Sequence, residues 1–236
     1  IKNNMHVLFT RPIDDSKDLI LKFKSLGHIV SSIPVISIKK KEYSKIDFSS
    51  FKGIIFTSSN AIKFLDTKLL DKNIKCFCVG NATELLAKEK GFQNIFSAEG
   101  NVNNLKEIIL QNFKSSEGKL LYISGETITF ELDKFLISEG LKVERVINYS
   151  SDPIEKFNEI LIDDLKNNVP DIVYIYSQNS AISFKNLIKN YNLQNHWMNT
   201  NLMCISEKTS SVLNDIKWKK IFLFNPGEEE YLLYKI

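Results

Sequence analysis

The chain has 236 residues, a hydrophobic content of 43% and a formal net charge of +3. This length suits two lobes of ordinary domain size, and so small a charge gives no argument for nucleic-acid binding. No apolar run is long enough to span a bilayer and no signal-peptide pattern opens the chain, so we expect a cytoplasmic protein without membrane contact. The histidines and cysteines lack metal-ligand spacing, and phosphate-loop, dinucleotide and serine-hydrolase signatures are missing, so we expect neither a metal nor a cofactor.

The first predicted element is a strand at residues 7–9, followed by a polar turn and a helical pattern. Residues 53–56 predict a second strand, from which a turn of hydroxyl and amide residues leads into another helical pattern. Residues 78–83 and 95–105 begin two further units of the same kind. The first half of the chain is therefore a series of strand, turn and helix.

The second half of the chain repeats these four units in the same order. The paired segments are residues 7–27 with 120–140, 56–64 with 176–184, 78–83 with 204–209, and 95–105 with 221–232. In the last pair the spacing from glycine to leucine is the same, from Gly100 to Leu105 and from Gly227 to Leu232. Strands that alternate with helices predict parallel sheets, and the repeat predicts two similar copies. We therefore expect an α/β fold of two similar lobes, each a parallel sheet flanked by helices. Three glycines that follow helical patterns are predicted to end those helices: Gly27, Gly91 and Gly140.

Two long connections, residues 33–51 and 147–170, lie at the same point of both repeats. They indicate that the chain crosses between the lobes at these places. Lobe one then comprises residues 1–35 and 150–236, lobe two comprises residues 36–149, and the active-site cleft lies between them. Two tandem lobes divided near Ser115 are the alternative.

The polar turns that follow the strands carry the candidate binding residues, because ligands of such folds bind outside the carboxyl ends of the strands. The residues of these turns are Thr10, Arg11, Ser58, Ser59, Asn60, Gly80, Asn81, Thr83, Ser124, Gly125, Ser177, Gln178, Asn179, Ser180 and Thr209. Small residues at helix N-termini let an anion approach the backbone N–H groups, and Arg11 can bind a carboxylate through two N–H groups.

The same turn residues have a structural alternative. A hydroxyl or amide side chain at the start of a helix often accepts a hydrogen bond from the helix and needs no ligand. This alternative applies to six positions: Ser58, Ser59, Asn60, Thr83, Ser180 and Thr209. For Arg11 the alternative is an ion pair at the surface.

An ordered set of motifs resembles the uroporphyrinogen-III synthases. The motifs are FTRP at 9–12, IPVI at 33–36, IFTSSNA at 55–61, VGNAT at 79–83, LYISGE at 121–126, VINY at 146–149 and PGEEE at 226–230. They keep the family's order over nearly the whole chain. The resemblance implies two α/β lobes joined by a crossing of two strands, near residues 34–38 and 143–149.

The resemblance also implies a reaction. The family closes the linear tetrapyrrole hydroxymethylbilane into uroporphyrinogen III, with inversion of the last pyrrole ring and loss of water, and uses no cofactor or metal. Tyr149 matches the family's tyrosine that is proposed to assist departure of the hydroxyl as a general acid. A half-buried aromatic residue of a strand is the alternative for Tyr149. The implied partners are the substrate and, transiently, the deaminase that makes it, and we expect a monomer.

The chain departs from the family pattern in three places. Residues 206–209 lack the usual glycine, Gln178 stands where the repeat has Ser58, and the loop after Gly125 lacks the basic residue of many bacterial members. These departures leave an alternative hypothesis from another class. In that hypothesis the chain is a non-catalytic two-lobed α/β protein that binds a small anionic ligand.

Overall fold

The computed structural model describes residues 4–99, 101–234 and 236. The chain forms two compact units, which are Ile1–Ser37 with Asp152–Ile236 (the first unit) and Ile38–Ser151 (the second unit). Gly100, which contributes to the predicted repeat, lies outside the described residues. In the part of the chain that is described, no helix is both long and apolar enough to cross a membrane.

Strands alternate with helices along most of the described chain. The strands are β1 (His6–Phe9), β2 (Ile29–Ser32), β3 (Ile36–Lys40), β4 (Phe51–Phe56), β5 (Lys75–Val79), β6 (Asn94–Ala98), β7 (Lys119–Gly125), β8 (Lys142–Pro153), β9 (Ile172–Ile175), β10 (Asn201–Cys204) and β11 (Lys220–Leu223). The helices are α1 (Ile13–Ser25), α2 (Ser59–Lys63), α3 (Asn81–Glu89), α4 (Val102–Asn112), α5 (Leu132–Ser138), α6 (Glu159–Asn167), α7 (Gln178–Asn190), α8 (Glu207–Ser211) and α9 (Glu229–Leu232). Short 3-10 turns at Phe48–Ser50 and Ser115–Glu117 precede β4 and β7.

The five strands of the first sheet correspond, in order, to five of the six strands of the second. Among the described residues the first unit has the order β11-β10-β9-β1-β2, and the second unit has the order β6-β5-β4-β7-β8-β3. All pairs from β11 to β2 and from β6 to β8 are parallel. The predicted α/β fold with parallel sheets flanked by helices is therefore confirmed.

The strand pairing exchanges one strand between the sequence repeats. β1, from the first repeat, pairs with β9 of the second, and β7, from the second repeat, pairs with β4 of the first. A tandem division near Ser115 would separate strands that are hydrogen-bonded to each other. β3 and β8 run antiparallel, because Lys41 donates to the carbonyl of Asn148 while Ile154 donates to that of Val35.

The central strands are buried on both faces, as expected for parallel sheets covered by helices. In β4, Ile54 belongs to one hydrophobic cluster and its neighbour Ile55 to another, since successive side chains point to opposite faces. Cys76 and Cys78 of β5 lie on one face, with their Sγ atoms 3.6 Å apart, and both are fully buried. Both thiols are therefore part of the core of the second unit.

Three helices end in the way that the sequence predicts. After α5, Gly140 has a φ of +88°, its N–H donates to the carbonyl of Ile137, and the N–H of Leu141 donates to that of Leu136. The same pair of hydrogen bonds ends α1 at Gly27 and α3 at Gly91. Glycine suits this position because a side chain disfavours the left-handed conformation.

Replacing Gly140 by alanine tests the energetic cost of this conformation. A Cβ atom at Gly140 would meet no atom within 4 Å, so the substitution strains the backbone without a steric clash. We expect Gly140→Ala to lower the free energy of unfolding of the second unit by ~1 kcal/mol. Urea unfolding followed by circular dichroism measures the loss. Gly140→Asn should lose less, because asparagine adopts the left-handed region more readily, and equal stability of glycine and alanine at 140 would contradict the expectation.

Candidate functional site

The predicted site residues collect at one edge of each sheet. Parallel strands place their carboxyl ends at the same edge, so the turns after β1, β9 and β10 lie together in the first unit. The turns after β4, β5 and β7 lie together in the second unit, and Tyr149 of β8 is in register with Gly125 of β7. We call these groups the first edge (Thr10, Arg11, Ser177, Gln178, Asn179, Ser180 and Thr209) and the second edge (Ser58, Ser59, Asn60, Gly80, Asn81, Thr83, Ser124, Gly125 and Tyr149).

Helix capping at these edges matches the expectation from the sequence at Ser58 but not at Ser180 and Thr209. Ser58 caps α2 by accepting a hydrogen bond from the N–H of Asn60 at 3.2 Å, as the structural alternative predicts. Ser177 caps α7 and Ser206 caps α8, and their Oγ atoms accept from the N–H groups of Ser180 and Thr209. Ser180 and Thr209 are therefore not the caps; each lies three residues after the cap of its helix.

The residue three positions after the cap is buried in α2, α3, α7 and α8; it is Ala61 in α2 and a hydroxyl residue in the other three. Thr83 follows the positive-φ residue Gly80 (φ +83°) that precedes α3, and its exposure is 4%, against 5% for Ser180 and 2% for Thr209. These side chains pack inward, because that position of the first turn faces the sheet. Their predicted contacts with substrate stay predictions.

Two further predicted residues have inward-facing hydroxyls. Thr10 is fully buried and donates to the carbonyl of Tyr174 at 2.8 Å. Ser124 is 1% exposed and donates to the carbonyl of Gly125 at 3.0 Å. The remaining polar members of the two edges are half-buried or exposed: Arg11, Ser58, Ser59, Asn60, Gly80, Asn81, Ser177, Gln178 and Asn179.

Arg11 is held in a defined position at the first edge. Its guanidinium carbon lies 3.9 Å from the centre of the Tyr176 ring, and its Nε donates to Ser16 Oγ at 2.8 Å. Within the described residues its guanidinium forms no ion pair. Stacking on an aromatic face stabilises the cation while leaving the outer N–H groups able to donate in the plane of the guanidinium. Arg11 can therefore bind an external carboxylate through two hydrogen bonds.

Tyr176 is itself anchored by a buried carboxylate. The Tyr176 hydroxyl donates to Glu229 Oε1 at 3.0 Å, and Glu229 Oε2 accepts from the N–H of Gly227 at 2.8 Å. Glu229 is only 3% exposed, and its backbone carbonyl accepts from the Tyr174 hydroxyl at 2.6 Å. Burial raises the pKa of Tyr176 well above its ordinary value, since the positive charge of Arg11 only partly offsets the desolvation and Glu229 adds to the rise. The sequence predicted neither the role of Tyr176 nor its link to Glu229.

Tyr149 lies directly against the backbone of Gly125 at the second edge. A Cβ atom built on Gly125 would lie 2.8 Å from Cε2 and from Cζ of the ring, too close for any side chain to be accommodated. The ring of Phe64 is 6.4 Å away between centroids. Among the described residues nothing hydrogen-bonds to the phenol hydroxyl, so the packing of the ring alone sets its direction.

A bulge in β8 aims Tyr149 toward this position. Ser124 is in register with Ile147 and Gly125 with Tyr149, so Asn148 is an extra residue in β8. The Asn148 amide is fully buried and donates to the carbonyl of Ala61 in α2 at 2.8 Å. This hydrogen bond ties the bulge to the helix that begins after Ser58.

Arg145 is a site residue that the sequence analysis missed. Its Nε donates to Ser124 Oγ at 2.7 Å, and its Nη2 donates to the carbonyls of Gly125 at 2.8 Å and Glu126 at 3.1 Å. The loop after Gly125 has no basic residue of its own, as the sequence analysis states. A basic side chain nevertheless reaches the start of this loop, because Arg145 lies on the neighbouring strand. The signal that could have pointed to it is its position two residues after Val143, on the same face of the strand and only half-exposed.

The second unit also has a cavity of about 430 Å³ between the segment before β4 and residues 144–147 of β8. It is lined by residues 43–47, 50, 51 and 144–147, so Arg145 lines it while the residues of the second edge do not. Across the residues that are described, no group of three or more His, Cys, Asp or Glu side chains could hold a metal ion. The polar groups of the two edges are hydroxyl, amide, guanidinium and backbone N–H groups.

A family model described as uroporphyrinogen-III synthase HemD matches residues 17–223. Because this match covers most of the chain, the chain belongs to the uroporphyrinogen-III synthase family. No curated protein matches the sequence.

Two solved structures support the fold. The crystal structure of uroporphyrinogen-III synthetase from Helicobacter pylori 26695 has a TM-score of 0.63 at 15% identity and covers 98% of this chain and 99% of that chain. A mutant uroporphyrinogen III synthase from the extremely thermophilic bacterium Thermus thermophilus has a TM-score of 0.52 at 12% identity and covers 98% and 97% of the two chains. At identities this low the structures are evidence for the fold alone.

The pKa of Tyr176 predicts how stability changes in alkali. The pKa of Tyr176 is raised in the folded protein. Its contribution to the free energy of unfolding is therefore complete below pH ~10, the pKa of tyrosine in the unfolded chain. This contribution is lost as the pH rises toward the pKa in the folded protein. We expect Tyr176→Phe to reduce the loss of unfolding free energy above pH ~10 by up to ~1.4 kcal/mol per pH unit. Urea unfolding at several alkaline pH values measures this slope.

Tyr231→Phe is the matched control, since this tyrosine is 66% exposed and its loss should leave the slope unchanged. The same alkaline slope in wild type and Tyr176→Phe would contradict a raised pKa for Tyr176.

Proposed function

We propose that this member of the uroporphyrinogen-III synthase family closes hydroxymethylbilane into uroporphyrinogen III, with inversion of the last pyrrole ring and loss of water. The family match over residues 17–223 is the observation that carries the proposal. The arrangement of Tyr149 against Gly125 is consistent with it, because the phenol hydroxyl has no protein partner among the described residues.

Tyr149 is proposed as the general acid. The substrate must lose its terminal hydroxyl, and a phenol carries a proton near pH 7 that it can donate as the carbon–oxygen bond breaks. The leaving hydroxyl and this proton form water, and the pyrrole electrons stabilise the carbon cation that remains. Attack through a spiro intermediate and rearrangement then give the inverted macrocycle, and loss of a proton restores the aromatic ring.

The two edges are proposed to bind the carboxylates of the substrate. Arg11 supplies a positioned cation, and the half-buried and exposed turn residues at the helix starts supply hydroxyl, amide and backbone N–H donors. Hydrogen bonds within the protein hold these turns in place, and they are made by the inward-facing hydroxyls of Thr10, Ser124, Ser180 and Thr209. Many neutral donors suit a substrate with eight carboxylates, since each carboxylate needs hydrogen bonds but few need a full counter-charge.

Several finer expectations stay predictions. They are the lobe limits (residues 1–35 with 150–236, and 36–149), the cleft between the lobes, the transient contact with the deaminase, the monomeric state and the cytoplasmic location. The non-catalytic binding protein is not proposed, because neither the family match nor any described contact favours it.

A coupled assay tests the proposed reaction. Porphobilinogen and its deaminase generate hydroxymethylbilane in the presence of this protein, and the oxidised products are separated into type I and type III isomers. An excess of type III over the spontaneous type I product is the expected result. Type I alone, from protein shown to be folded by circular dichroism, would overturn the proposed function.

Tyr149→Phe tests the general acid. The substitution keeps the ring against Gly125 and removes only the hydroxyl, so the fold and substrate binding should change little. We expect kcat to fall about 100-fold or more while KM stays within about 2-fold. Tyr234→Phe, at a tyrosine that is 78% exposed, is the matched control and should leave kcat unchanged. A normal kcat for Tyr149→Phe would exclude the acid role of Tyr149.

A further inference from the structure

Arg145 binds three consecutive residues at the end of β7. Its Nε donates to the side chain of Ser124, and its Nη2 donates to the carbonyls of Gly125 and Glu126, at distances of 2.7 Å, 2.8 Å and 3.1 Å. Ser124 Oγ in turn donates to the carbonyl of Gly125 at 3.0 Å. The planar guanidinium can reach all these acceptors because its N–H groups point in fixed and different directions. A lysine ammonium at this position cannot match that geometry.

The segment that Arg145 holds is the one that packs on Tyr149. Gly125 is so close to the phenol ring that a Cβ atom there would lie 2.8 Å from two ring carbons and 3.1 Å from the hydroxyl oxygen. The next residue, Glu126, donates its N–H to the carbonyl of Tyr149 at 2.9 Å. A shift of residues 124–126 therefore moves both the ring and the backbone of Tyr149.

No described residue fixes the phenol hydroxyl by a hydrogen bond. The ring direction depends on Gly125 on one side and on packing near Phe64 on another. The bulge residue Asn148 is already tied to α2 through the carbonyl of Ala61. The hydrogen bonds of Arg145 to residues 124–126, which we call the clamp, therefore hold the segment of β7 that contacts the ring.

We propose that Arg145 is a positioning residue for Tyr149, which it places by holding residues 124–126 against the phenol ring. This inference rests on the proposed function, because it gives Tyr149 the role of proton donor. Misplacing a reacting group by about 1 Å can lower a rate about 100-fold. Losing these hydrogen bonds therefore slows the proton transfer, while the binding groups of the first edge and those of the turns after β4 and β5 remain in place.

The test is a double-mutant cycle in the isomer assay. Arg145→Lys keeps the positive charge but loses the planar set of donors, and it should lower kcat about 10-fold with KM within about 2-fold. In the Tyr149→Phe background the same substitution should lower kcat less than about 2-fold, because the hydroxyl it positions is already gone. Glu144→Gln, an exposed change at the adjacent position of β8, is the control and should leave kcat unchanged.

Ser124→Ala weakens the same set of hydrogen bonds from its other side and is a second test of the proposal. It removes the acceptor of Arg145 Nε and the hydroxyl that binds the Gly125 carbonyl, so it should also lower kcat only when Tyr149 is present. Circular dichroism and thermal unfolding establish that each variant is folded. If Arg145→Lys does not fold, the cycle of Ser124→Ala with Tyr149→Phe decides in its place.

The outcomes distinguish this inference from the proposed function. A wild-type protein that makes only the type I isomer overturns both. With an active wild type, an equal fall in kcat in both backgrounds would show that Arg145 acts independently of Tyr149. A raised KM with a normal kcat would instead assign Arg145 to a substrate carboxylate. Either of these last two results overturns the positioning role.

Discussion

Parallel strand pairing is the constraint on which the two candidate edges depend. In each sheet the strands that carry polar turns point the same way, so residues far apart in the chain reach one edge. Arg11 follows β1 and Ser177 follows β9, and these strands are hydrogen-bonded neighbours although more than half the chain separates them. The apolar central strands keep this pairing in place, because both of their faces are buried under helices.

The guanidinium groups of the two arginines, Arg11 and Arg145, differ in where their hydrogen bonds go. Arg11 stacks on Tyr176 and bonds to Ser16 through one nitrogen, which leaves its outer N–H groups for an external anion. Arg145 directs its hydrogen bonds to the backbone and side chain of residues 124–126. A cation with free donors is suited to binding, whereas one whose donors are used within the protein is suited to holding a loop in place.

The repeat and the glycines were readable from the sequence because they are local patterns. Helices at matching positions of both repeats, and the glycine after α1, α3 and α5, need only periodicity and one permissive residue to be recognised. The caps were harder to place. Ser177 and Ser206 begin their helices three residues before Ser180 and Thr209, and runs of hydroxyl residues offer several equivalent candidates for one cap.

By itself the sequence determined the α/β class, the two similar repeats and the set of polar turns, since hydrophobic periodicity and turn residues encode these locally. Only the tertiary structure decided which side chains act together. The pairing of β7 with β8 brings Arg145 to the loop at Ser124, and the bulge at Asn148 turns Tyr149 against Gly125. The packing of α9 near β9 brings Glu229 to Tyr176, and Tyr176 supports Arg11. Such contacts depend on strand register and close approach between distant segments, which no local pattern specifies.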